Sequence, residues 1–187
     1  QLDERPKRSI VFLAVTGEEK GLLGSDYYAQ NPTVPLGSMV ANVNLDMPIL
    51  TYEFADIIAF GADHSDMKTS VAKAAEKIGL ELSPDPMPDQ ALFTRSDHYS
   101  FVKQGIPSVF LVPGFKSVNP EIDGSKQFSH FLKTNYHKPG DDFSQAFNWK
   151  AATKFAEVNY HIGLTLANQV QRSRWNKGDF FGDNFSK

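Results

Sequence analysis

Four short apolar runs, each closed by Gly or Pro, alternate with helix-patterned stretches along this chain. That alternation restricts the fold more than any other feature, because strands separated by helices bury their apolar sides only as an α/β layered structure. Ser9 to Thr16 (SIVFLAVT) is β-branched and almost continuously apolar, the pattern of a strand buried on both faces. Ser38 to Met47 is a second strand candidate that ends at Pro48, and Asp56 to Gly61 and Pro107 to Val112 complete the set. Gly21 to Asn31, a short segment from Asp97 to Gln104, and two longer stretches read as helices. Ser65 to Gly79 places Met67, Val71, Ala74, Ala75 and Ile78 on one stripe, and Trp149 to Val170 does the same with Phe155, Ile162 and Leu166. The expected fold is a three-layer α/β/α sandwich with a central mixed, largely parallel sheet. Residues 1–171 form its body, Gly114 to Phe131 is a long loop, and the tail 172–187 is either a loose terminus or a strap. The tail carries Trp175, Phe180, Phe181 and Phe185 among its charges.

Composition narrows the function. A formal charge of −3 argues against a nucleic-acid surface, which needs clustered Lys and Arg. The absence of Cys rules out a disulfide framework, a thiolate zinc site and a thiol nucleophile. No stretch approaches the roughly 18 consecutive apolar residues of a membrane span. Serine-hydrolase and phosphate-loop readings fail because Gly-x-Ser-x-Gly is absent and Gly21-Leu22-Leu23-Gly24 has no following Lys.

Three polar features fall at strand ends or in loops, and α/β sheets gather their ligands beyond strand carboxyl ends. Glu18-Glu19 follows the first apolar run. Two adjacent carboxylates repel unless a cation or proton intervenes, and their side chains diverge, so one can bind a metal while the other faces water. Asp46 follows the second run, and His137 stands shortly before Asp141-Asp142 in a loop, a setting for a metal ligand held by an outer carboxylate. Each taken alone is also what a solvated turn, a cap or a polar loop looks like. Together, nitrogen and carboxylate donors without thiolate suit catalytic Zn²⁺, with Mn²⁺ and Co²⁺ as alternatives. Of the other histidines, His64 reads as a cap neighbour, His130 as a surface residue and His161 as structural.

Four strings occur in one order: Glu18-Glu19-Lys20-Gly21-Leu22-Leu23-Gly24-Ser25, Asn44-Leu45-Asp46-Met47, Arg95-Ser96-Asp97-His98-Tyr99-Ser100-Phe101 and Tyr136-His137-Lys138-Pro139. In this the chain resembles the co-catalytic zinc aminopeptidases of metallopeptidase family 28, which also include glutaminyl cyclases and glutamate carboxypeptidases. The resemblance implies a secreted or periplasmic exopeptidase that removes N-terminal residues from peptides. Glu18 would be its general base, Glu19 and His137 ligands of one zinc, and Asp46 a ligand of the other. Asp97 and Asp142 would be outer carboxylates, and Phe93 and Tyr99 would contribute to the substrate pocket. Phe93 stands where some relatives have a Tyr. The family's His-x-Asp segment and bridging Asp, which precede the Glu-Glu strand, have no counterpart in the seventeen residues before Glu18. The chain also opens on a polar, Met-less stretch. It is therefore expected to be the C-terminal portion of a catalytic domain that lacks its N-terminal part, to hold at most one zinc weakly, and to have little activity alone. A glutaminyl-peptide cyclase and a metal-free interaction domain are the alternatives.

Overall fold

In the computed structural model of the chain, residues 4–186 are described; Gln1–Asp3 and Lys187, at the ends of the expected body and tail, lie outside the described residues. The strands are β1 (Asn42–Asn44), β2 (Asp56–Phe60), β3 (Glu81–Ser83) and β4 (Ser108–Pro113). The helices are α1 (Leu23–Gln30), α2 (Met67–Lys77), α3 (His98–Val102), α4 (Gly124–Thr134), α5 (Trp149–Asn168) and α6 (Phe180–Phe185).

The sheet order is β1-β4-β2-β3. β1 pairs parallel with β4, β2 parallel with β3, and β2 antiparallel with β4, so the sheet is mixed with more parallel than antiparallel pairing. Period-two alternation in the two central strands sorts their side chains to opposite faces. Ile57, Val109 and Leu111 face one core with Val71 and Ala74 of α2 and Phe155, Val158 and Ile162 of α5. Ile58, Phe60, Phe110 and Val112 face another, shared with Phe93, Val102 and tail residues Trp175, Phe181 and Phe185. A smaller cluster of Ala29, Phe101 and Ile106 joins α1 to the α3 region. Helices thus lie on both faces of the sheet, as the alternation of runs predicts.

Three expectations need correction. Ser9 to Thr16 is not a strand and is not buried: Ile10, Val11 and Leu13 are 43%, 54% and 40% exposed and Phe12 is 94% exposed. The segment is tied at its ends instead. The Arg8 amide donates to the Ala167 carbonyl (3.0 Å) at the end of α5, and the Gly24 amide donates to the Thr16 carbonyl (2.8 Å). β-propensity states only that a segment fits a pleated, covered surface, and among the described residues no ladder partner supplies one. The stretch 38–47 yields only the three residues of β1 for the same reason. The expected loop from 114 to 131 contains most of α4, whose N-terminus is capped by Asp123 accepting from the amides of Ser125 and Lys126. The tail is the strap of the two alternatives, and it includes α6. Among the described residues no helix is long and apolar enough to cross a membrane.

Candidate active site

Glu18 and Glu19 open a single 3-10 turn, Glu18–Lys20, entered through Gly17 at φ +72°. A left-handed residue here lets the chain turn sharply from the 9–16 segment into α1. Gly24, in the first turn of α1, lies so close beneath that an added Cβ would come within 2.4 Å of the Thr16 carbonyl oxygen and 2.6 Å of its nitrogen. The absence of a side chain at Gly24 therefore sets how tightly the Glu18-Glu19 turn sits on its helix.

Asp46 lies two residues beyond β1 and is followed by Met47 at φ +40°, an uncommon conformation for a residue with a side chain. Its carboxylate is held from the side. The Asn44 Nδ2 donates to Ser96 Oγ (2.9 Å), and the Ser96 hydroxyl donates to Asp46 Oδ2 (2.7 Å). His137 stands in the turn after α4, also at positive φ (+56°). Its Nε2 meets Glu19 Oε1 at 2.5 Å, with both side chains more than half exposed. The Tyr136 ring stacks on the His137 imidazole at 3.7 Å between centroids. Strained backbone beside Asp46 and at His137 is the kind of feature that clusters at functional sites.

The electrostatics tie these groups together. Burial raises the Glu18 carboxyl above its ordinary pKa; the charges of Asp46, Glu19 and Asp97 raise it further, and only His137 opposes them. Burial likewise raises the Tyr136 phenol, helped by the fields of Glu19, Glu18 and Asp46. Asp97 Oδ1 is buried without a hydrogen-bond partner. Glu18, Glu19, Asp46, Asp97 and His137 thus share one acidic recess. A carboxyl with a raised pKa in such a setting is suited to taking up a proton and holding it.

The other expected residues fall elsewhere. Asp142 is exposed and accepts from the Ser144 amide (2.8 Å); that hydrogen bonding with Ser144 lowers its pKa, and no recess residue hydrogen-bonds to it. Phe93 is not an open pocket wall but only 8% exposed, because the rings of His64, His98 and Phe181 cover it. Tyr99 is half-buried, with its ring edge-on to Phe181 and the Lys103 ammonium above it. His64 is more than a cap neighbour, since its Nδ1 pairs with Asp179 Oδ2 at 2.7 Å. Sequence reasoning gave no role to Asn44, Ser96 or Tyr136. The signal for Asn44 was its place two residues before Asp46, on the same side of an extended chain.

Glu19 and His137 offer a carboxylate oxygen and an imidazole nitrogen side by side, a donor pair that zinc accepts. Asp46 adds a third donor in the same recess, yet among the described residues no three His, Cys, Asp or Glu side chains converge tightly enough to hold an ion. The residues fit part of a zinc site.

The family model of Peptidase family M28 matches residues 1–163. The chain is 31% identical over 175 residues to a probable leucine aminopeptidase 2 of Aspergillus oryzae (strain ATCC 42149 / RIB 40), covering 85% of this chain and 35% of that protein. In fold it is similar to an aminopeptidase from Aneurinibacillus sp. strain AM-1, with TM-score 0.53, 20% identity, and 87% of this chain and 33% of that one covered. It is also similar to LapA of Legionella pneumoppila, with TM-score 0.56, 22% identity, and 83% and 39% covered. The chain spans about a third of the length of the curated relative. With the family model matching most of its length, the chain belongs to Peptidase family M28.

Proposed function

We propose that this chain is a ligand-bearing part of a metal-dependent aminopeptidase that hydrolyses the N-terminal residue of peptides. The observation that carries the reading is the shared recess of Glu18, Glu19, Asp46, Asp97 and His137, in which burial, and then the charges of the three other carboxylates, raise the pKa of Glu18. The M28 membership and the relative named as a leucine aminopeptidase support it.

Zinc would be held by Glu19 and His137 at one position and by Asp46 at a second, and when bound it supplies a Lewis acid that polarises a peptide carbonyl and acidifies water. Glu18 takes the proton from the attacking water and returns it to the leaving amine, a transfer matched to its raised pKa. Ser96 fixes which oxygen of Asp46 is free, because its hydroxyl already occupies Oδ2. Asp97 faces the recess from the start of α3 and adds negative charge that favours a substrate α-ammonium.

The test is hydrolysis of aminoacyl-anilides by the full-length protein, before and after zinc is supplied. Turnover that needs zinc and is lost on Glu18→Gln is the expected result. A zinc-loaded protein that cleaves nothing, or one that closes glutaminyl peptides without hydrolysis, overturns the aminopeptidase reading.

A further inference from the structure

The tail beyond residue 172 is bound to the body in a way that its length alone does not require. The Arg174 amide donates to Asp66 Oδ1 (2.9 Å), and Trp175 forms a bridge with Ser65. The Trp175 indole donates to the Gly105 carbonyl (2.9 Å). The Asn176 amide donates to the His64 carbonyl (2.9 Å), and Asp179 takes the His64 ring at 2.7 Å. These anchors set down α6 so that one ring, Phe181, meets His64 at 4.8 Å and Phe93 at 5.0 Å, both edge-on. The match to the family model ends before this point, at residue 163.

What lies beneath Phe181 is the turn that supports Asp46. Phe93 stacks on His64 (5.0 Å) and lies against His98 (5.2 Å), while the His98 Nε2–H donates to the Phe93 carbonyl (2.6 Å). Residues 93 and 98 therefore close a loop whose interior holds Ser96 and Asp97. Its regular structure is one 3-10 turn, Leu92–Thr94, and the start of α3, and a single 3-10 turn has little stability of its own. Packing on Phe93 and His98 must fix it, and Phe181 is the ring that covers Phe93 from the tail side. Ser96, carried in that loop, makes the 2.7 Å hydrogen bond to Asp46.

We propose that the tail is a clamp for the active site: Phe181, acting through Phe93 and His98, is a positioning residue that sets Ser96 against Asp46. The inference rests on the reading of Asp46 as a working carboxylate of the proposed peptidase, and it adds a part that lies outside the family match.

The experiment is NMR on the isotopically labelled chain, reading the side-chain carboxyl ¹³C shift of Asp46 and the hydrogen exchange of the Tyr99 and Ser100 amides. Those amides bond to the Ser96 and Asp97 carbonyls at 3.0 and 3.2 Å. Phe181→Ala is expected to move the Asp46 shift most of the way to its value in Ser96→Ala, and to speed exchange at Tyr99 and Ser100 about tenfold, with Val109 and Leu111 in β4 unchanged. Phe181→Tyr keeps the ring and should restore both readouts. Asp179→Asn, a milder loosening, should move them in the same direction by less. The proposal is overturned if the Asp46 shift and loop amides stay as in the parent while the tail amides of Asp183 and Ser186 open. It is equally overturned if exchange in β4 rises in step with the loop, because the tail then acts on the whole fold. Neither readout involves metal or peptide, so failure here and failure of the aminopeptidase reading are separate results.

Discussion

Glu18 and Glu19 are neighbours in sequence with different surroundings. Glu18 is partly buried among the recess carboxylates, while Glu19 reaches outward to His137. That division predicts different losses. Glu18→Gln in the full-length protein should lower turnover about 10²–10⁴-fold, the usual contribution of a general base, while zinc content stays nearly unchanged. Glu19→Ala should instead reduce zinc content, and metal analysis of the two purified variants tells the roles apart. His98 offers a second residue-scale test. Burial pushes its imidazole down to about 4, although its hydrogen bond to the Phe93 carbonyl pulls the other way. Between pH 6.5 and 4 the unfolded chain binds this proton and the native one does not, so stability falls as pH drops through that window. The loss across it is on the order of 3 kcal/mol. Urea unfolding from pH 4 to 7 should therefore give a steeper pH dependence for the parent than for His98→Gln, and identical slopes would remove His98 as the cause.

At the scale of elements, the 9–16 segment and the central strands have similar compositions but different surroundings. Phe12 is 94% exposed, whereas Ile57 and Val109 are fully buried. Phe12→Ser should change stability by no more than about 0.5 kcal/mol, as for most surface substitutions. Ile57→Ala should cost about 2–5 kcal/mol through lost transfer energy and the cavity left behind. Urea midpoints compare the two directly, and a large loss at Phe12 would mean that the segment is covered in solution. Gly24→Ala belongs to the same scale. Its new Cβ meets Thr16 backbone atoms at 2.4 and 2.6 Å, and backbone cannot step aside as a flexible side chain can. The substitution should destabilise by about 1–3 kcal/mol and draw Glu19 away from His137, seen as a change in the His137 ring resonances.

For the whole molecule, three donors are too few for two zinc ions. The chain by itself is expected to bind at most one zinc, weakly, and to hydrolyse aminoacyl-anilides little or not at all. Calorimetric titration and a zinc-supplemented assay check both, and two tightly held ions would contradict the count. The α/β class was legible because a buried strand and an amphipathic helix leave their own periodicities. Ile57/Ile58 and Val109/Phe110 in the strands, and Phe155 and Ile162 in α5, sort as their spacing demands. Glu18, Glu19, Asp46 and His137 stood out as candidates by residue type and by their places at run ends and in a loop, whereas Asp97 entered only through the family resemblance. The exposure of 9–16 was not legible. Its pattern describes a strand, but a strand exists only with a hydrogen-bonded neighbour, and a segment's own sequence does not contain its neighbour. The same limit hid Ser96 behind Asp46, and Phe181 behind Phe93. Sequence alone determined the fold class and the candidate reactive groups, because periodicity and side-chain chemistry are local. Tertiary structure alone decided which strands form, that the tail is a strap, and which residues hold the site in place, because each depends on contacts between residues far apart in the chain.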